Sequence, residues 1–148
     1  MDSFPDFMKH PANKIVSASQ STPGVEGYVF DGVEGSQMAF WTCREAAASA
    51  AHTHDYNEYM IVVQGCYTLV IDGKRIPVGA GEEYMIPLGI LHGGEVLTGT
   101  RTIHAFGGHR ANRVQGRLGA GLLSRRPSSC ALPSSCFHPA EILSGLFR

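Results

Sequence analysis

No run of apolar residues in this chain approaches the roughly 20 that a membrane-spanning helix needs, so no membrane partner is expected. The opening residues, Met1-Asp2-Ser3-Phe4-Pro5-Asp6, lack the basic and apolar stretches of a secretory leader, and the expected location is cytoplasmic. Cysteine is scarce as well. Cys43, Cys66, Cys130 and Cys136 contain no C-x-x-C pair and are too few for a disulfide scaffold in 148 residues; they read as reduced thiols. A phosphate-cradling glycine loop is missing, because neither Gly93-Gly94 nor Gly107-Gly108 is followed by Lys and then Ser or Thr.

Charge is thin, with 17% of residues charged, against about 25% in an average soluble domain. It is also uneven. Residues 1–108 carry 6 Lys+Arg against 12 Asp+Glu, whereas residues 109–148 carry 6 Arg against the single Glu141. The Arg-rich end has no interleaved aromatics and no helix-turn-helix pattern accompanies it, so no nucleic-acid partner is expected.

Glycine is abundant at 18 residues, and 43% of the chain is hydrophobic. That combination suits a soluble, turn-rich globular chain with one core. Three regions follow. Residues 1–24 mix Pro, Ser, Asn and Thr around a short apolar patch at Phe4, Phe7 and Met8, and are expected to form an arm on the body or on a partner subunit. Residues 25–110 hold short β-branched and aromatic runs at 27–30, 37–43, 58–64, 66–72, 83–87 and 101–106. Asp31-Gly32, Asp72-Gly73 and Gly79-Ala80-Gly81 punctuate them as turns, which predicts an all-β sandwich or barrel. The segment 45–51 has helix-forming composition but is too short to stand as a helix, and is expected to lead irregularly into the next strand. Residues 111–148, where Pro-Ser-Ser-Cys occurs twice, form a tail of biased composition that is expected to be poorly structured.

The chemistry concentrates in residues 52–65. Strand side chains alternate with period two, so His52, His54 and Glu58 share one face. In 81–94, Pro87-Leu88-Gly89 forms a turn and His92 begins another strand, which a closing barrel can place opposite the first three. Three imidazoles and one carboxylate suit Fe, Mn, Ni, Zn, Co or Cu alike, and four protein donors leave about two positions of an octahedral shell open.

Other residues are weaker candidates. His104 shares a face with Thr102 and Phe106; it is either a pocket acid, base or hydrogen-bond donor, or a histidine bonded within the wall. Met60 and Val62 share the parity of Glu58 and are expected to line the pocket. On the early strand, Gln37 and Trp41 are favoured for the cavity face, and Cys43 shares that parity. Tyr56 and Asn57 read as turn residues between two ligands, and His10, His109 and His138 carry no assigned role.

Residues 46–65 and 81–96 resemble the two motifs of the cupins, G-x5-H-x-H-x3-E-x6-G and G-x5-P-x-G-x2-H-x3-N, with 15 residues between Gly65 and Gly81. Ala46 replaces the first Gly and Val96 the final Asn; neither position is a ligand. The resemblance implies a double-stranded β-helix, or jelly-roll, barrel of the RmlC-like type. It is usually dimeric and would hold one divalent transition-metal ion inside on His52, His54, Glu58 and His92. It further implies a metal-dependent enzyme of oxygenase, isomerase or lyase type acting on a small oxygen-bearing substrate. The alternatives are a non-catalytic module that binds a carbohydrate or carboxylate as a sensor or store, and a dimerising scaffold. A homodimer is also expected from the apolar patch of the arm, which a second copy would cover.

Overall fold

The computed structural model describes residues 3–16 and 22–114. Among the described residues, nine strands run β1 (Val25–Asp31), β2 (Gln37–Cys43), β3 (Ala47–Ala48), β4 (Glu58–Gln64), β5 (Cys66–Ile71), β6 (Lys74–Gly79), β7 (Glu83–Ile86), β8 (His92–Val96) and β9 (Arg101–Phe106). They build a five-stranded sheet in the order β1-β2-β9-β4-β7 and a four-stranded sheet in the order β3-β8-β5-β6. All pairings are antiparallel. The two sheets face each other across a cavity lined by Trp41, Glu58 and His104 from one and by Tyr67, His92 and Gly94 from the other. This is the all-β jelly roll that the motifs imply.

Period-two patterning decides what faces inward. On β4, Glu58, Met60 and Val62 are buried; on β9, Thr102, His104 and Phe106 are buried, while Ile103 and Ala105 between them are less so. Register turns these positions into rows across the sheet. Gln37, Phe106, Glu58 and Ile86 form one row, and Ala39, His104, Met60 and Tyr84 the next. Two apolar clusters flank the cavity. Ile15, Val29, Ala39, Phe106 and Ala111 make the first, against which Trp41 and Tyr56 pack. The second is Met60, Val62 and Val78, with Tyr67 and Tyr84 against it.

Two strands depart from the sequence expectation. β6 carries Lys74, Arg75 and Pro77, which break the apolar alternation; it is tolerated because β6 is an edge strand, where a missing N–H leaves no ladder bond unmade. β3 is only two residues of the 45–51 segment, paired with Glu95 and Val96 of β8.

The arm lies on its own body. Phe4 is buried, packs edge-on to Phe40 at 5.6 Å and has the Arg101 guanidinium 5.1 Å above its ring. Ile15 enters the core and bridges to Arg113, whose guanidinium bonds Asn13 and Asp31. Ala111, the first residue after the barrel, is 1% exposed and packs in the first apolar cluster; residues 115–148, where most of the expected tail falls, lie outside the described residues.

Candidate metal centre

His52, His54, Glu58 and His92 come together: one donor atom from each lies within 4.8 Å of the others. Donors sharing one ion at about 2.0–2.2 Å are at most about 4.4 Å apart, so the cluster is within a few tenths of an ångström of that spacing. Backbone pairing explains the meeting. His52 and His92 form an isolated antiparallel bridge in which each backbone N–H donates to the other's carbonyl, at 2.8 and 3.0 Å. Their rings consequently sit side by side with centroids 4.5 Å apart. The Pro87-Leu88-Gly89 turn docks on the other ligand segment: Gly89 N–H donates to the His54 carbonyl at 2.7 Å, and Leu88 N–H to Asn57 Oδ1 at 3.0 Å.

Alternation also holds between residues 51 and 58, where His52, His54, Tyr56 and Glu58 are each more buried than Ala51, Thr53, Asp55 and Asn57. The strand itself begins only at Glu58. Tyr56 shares the ligand parity, and its ring stacks on His54 at 4.7 Å and 11°. Parity thus offered a signal for Tyr56 beyond a turn role.

Proton placement fits a metal-binding donor set. Nδ1 of His52 lies 2.9 Å from the Ala50 carbonyl, and Nδ1 of His92 lies 2.9 Å from the Ile90 carbonyl. A carbonyl can only accept, so each Nδ1 carries the proton, and in the neutral ring Nε2 keeps the lone pair that a metal ion takes. Nε2 of His54 and of His92 lie 3.2 and 3.4 Å from Glu58 Oε2. Both are buried, and neither makes a hydrogen bond. Such orphaned atoms cost about 1–3 kcal/mol each in an empty site, and a shared cation would satisfy them together.

Electrostatics supports the same picture at Glu58 and His52. Burial pushes the Glu58 pKa up, but the hydrogen bond with His104 and the closeness of the His54 and His92 imidazoles outweigh it and hold the carboxylate well below the usual range. Burial lowers the His52 pKa, which favours its neutral, ligating form. At His92 burial also lowers the pKa, and the Glu58 carboxylate and Ile90 carbonyl more than reverse it.

The cavity beside this cluster has a volume of about 90 Å³, room for about six to nine water-sized groups at 10–15 Å³ each. Trp41 lines it, and so does Cys43, whose buried thiol bonds the Glu45 carbonyl and has its pKa pushed up by burial. Three expected wall residues lie elsewhere. Met60 and Val62 do share the inward face, yet they are fully buried in the second apolar cluster. Gln37 is buried too, but its amide is consumed by Asp31 and by the backbone of Arg110 and Ala111.

His104 is bonded within the wall: Nδ1 to Glu58 Oε1 at 2.6 Å and Nε2 to Thr102 Oγ1 at 3.0 Å. Sequence reasoning missed Tyr67, Ser49, Phe106 and Arg110 as cavity residues. Tyr67 stands on β5 with the parity of buried Leu69, which was a usable signal. Its hydroxyl occupies the space above Gly94, where an added Cβ would lie 1.7 Å away. Arg110 follows the last strand and carries no periodic signal at all.

Comparison with known proteins returns the same architecture. An RmlC-like cupin from Shewanella frigidimarina is similar over 64% of this chain and 92% of its own, at 19% identity and a TM-score of 0.52. The polyketide cyclase RemF from Streptomyces resistomycificus is similar over 66% of this chain and 75% of its own, at 19% identity and a TM-score of 0.55. A salicylate 1,2-dioxygenase from Pseudaminobacter salicylatoxidans is similar over 57% of this chain and 26% of its own, at 14% identity and a TM-score of 0.53. At these identities the likeness is one of fold. No curated protein matches the sequence. The cupin domain profile matches residues 39–109, the stretch that contains all four clustered residues, so over that stretch the chain carries a cupin domain.

Proposed function

We propose that the chain is a small metal-dependent enzyme, of oxygenase, isomerase or lyase type, that acts on a small oxygen-bearing substrate at one divalent transition-metal ion held by His52, His54, Glu58 and His92. The observation that carries this is the pair of buried Nε2 atoms of His54 and His92, which have no hydrogen bond and converge on Glu58 Oε2. A bound Fe, Mn, Ni, Zn, Co or Cu ion would supply Lewis acidity toward an oxygen donor in the cavity.

The chain's own residues supply the rest. His104 holds Oε1 of Glu58, which leaves Oε2 turned toward the histidines. Tyr67 keeps its phenolic proton because burial, and then the Glu58 charge, raise its pKa; the hydroxyl is thus a protonated group on the cavity wall. Trp41, Val96 and Phe106 form an apolar wall that limits water.

A second reading, a non-catalytic module for a carbohydrate or carboxylate, is supported by one observation. Both ring nitrogens of His104, the acid-base candidate of the pocket, are engaged by neighbours. The neighbours named for cyclase and dioxygenase chemistry share only the fold, and one fold hosts many activities. Metal analysis followed by oxygen-uptake and turnover screens separates the two readings. Turnover that disappears on chelation and returns with metal supports the enzyme; saturable binding without turnover supports the module. A homodimer is part of the proposal and rests on Phe7, which is 79% exposed on the arm; sizing as a strict monomer would remove it.

A further inference from the structure

Arg110 is the unexplained charge of the cavity. It lines the wall, and its guanidinium carbon lies 5.9 Å from the centroid of the Phe106 ring. Among the described residues it forms no ion pair. Glu58, the only carboxylate lining the cavity among the described residues, is bonded to His104 and faces His54 and His92. With a divalent ion on the cluster, the cavity would hold a metal and a guanidinium against a single carboxylate. That surplus of positive charge sits beside a body, residues 1–108, that carries 12 Asp+Glu against 6 Lys+Arg. A neutral ligand would leave it uncompensated; an anionic one would answer it.

The backbone on which Arg110 stands is held by Gln37. Gln37 Oε1 accepts from Arg110 N–H at 2.6 Å and from Ala111 N–H at 2.9 Å, and its Nε2 donates to the Ala111 carbonyl at 3.0 Å. The backbone that carries Arg110 is thus fixed by a buried amide, and the Phe106 ring lies beside the side chain. A planar guanidinium presents a fork of N–H donors that matches a carboxylate. The cavity volume of about 90 Å³ restricts the occupant to a small molecule.

We propose that the cavity takes a small carboxylate, its carboxyl group on the Arg110 guanidinium and a further oxygen of the same molecule turned toward His52, His54, Glu58 and His92. The proposal rests on the metal-centred reading above and narrows its substrate to an oxygen-bearing carboxylic acid. Arg110 is then the specificity-determining residue, and Gln37 is the residue that positions it.

The test uses the full chain, wild type and Arg110→Gln, each loaded with Zn²⁺ and dialysed. Metal content is measured first, and titration calorimetry then compares lactate, pyruvate and glycolate with lactamide, pyruvamide and glycolamide. Both proteins should hold equal Zn²⁺, because Arg110 is not among the clustered donors. The wild type should bind at least one acid about 10- to 100-fold more tightly than its amide, the range expected of a charge-assisted hydrogen-bonded pair. Arg110→Gln should lose that preference, and Arg110→Lys should recover part of it. Failure of both proteins to hold Zn²⁺ would sink the metal-centred reading. Equal binding of acid and amide, an unchanged preference in Arg110→Gln, or no binding of any acid by the Zn²⁺-loaded wild type would overturn the carboxylate assignment alone.

Discussion

His104 Nδ1 lies 2.6 Å from Glu58 Oε1, and the two residues are diagonal neighbours across the β4–β9 ladder, where Glu58 faces Phe106 and His104 faces Met60. Diagonal positions are about 7–8 Å apart at the backbone, a gap that two long side chains can close. The bond sets which carboxylate oxygen is free for the cluster. His104→Ala should therefore weaken metal binding by about 10- to 100-fold without abolishing it, the usual effect of removing a group that orients a ligand. Competition against a graded chelator measures this. Unchanged affinity would mean that Glu58 is oriented by other contacts.

Tyr67 links the cavity to alkaline stability. Burial and the Glu58 charge raise its pKa above the ordinary value of 10.0. A phenol whose folded pKa exceeds its unfolded value stabilises the fold fully below about pH 10, and that contribution is lost as pH rises through the folded value. Spectrophotometric titration of wild type and Tyr67→Phe should give equal phenolate signals up to about pH 11 in the native proteins, and a larger signal for the wild type once both are unfolded in denaturant. A smaller native signal in Tyr67→Phe near pH 10 would show that Tyr67 titrates freely.

Gly94 makes room for that phenol. A Cβ at this position would fall 1.7 Å from the Tyr67 hydroxyl oxygen, far inside van der Waals contact. Gly94→Ala must displace Tyr67 from the cavity and should destabilise the domain by about 1–3 kcal/mol, as overpacking does. Denaturant unfolding reads the loss; a variant of wild-type stability would show that the ring moves aside freely.

Gln37→Ala tests the buried amide behind Arg110. The substitution strips partners from the Arg110 and Ala111 N–H groups and from the Ala111 carbonyl. Each buried group left unmet costs about 1–3 kcal/mol, so a combined loss of about 2–4 kcal/mol is expected once water re-enters part of the site. Faster amide hydrogen exchange at Ala111 should accompany it. Exchange as slow as in the wild type would contradict the assigned role.

The parts of this molecule legible in its sequence are those written in strand alternation and in fixed motif spacing. β2, β4 and β9 run at the bounds that their apolar patterns predict. His52, His54, Glu58 and His92 meet because parity and the Pro87-Gly89 turn put them on one inner surface. Depth was not legible. Met60 and Val62 share the face of Glu58, but the second cluster covers them, and alternation cannot tell cavity from core. Gln37 faces inward as its strand parity suggests, while its partners come from residues 110 and 111, 73 and 74 positions away. Arg110 sits outside every periodic segment, so only the folded chain reveals what it faces. β6 was hidden by Pro77 and two charges that only an edge position accommodates.

Metal content per chain in wild type and His54→Ala, measured by mass spectrometry after exposure to each candidate ion and dialysis, tests the central claim most directly. The account predicts close to one ion per wild-type chain and a residue of about a tenth or less in the variant, with the far-ultraviolet β signal unchanged because the two sheets do not depend on the ion. Full metal retention by His54→Ala, or a wild type that binds none of the ions offered, would contradict it.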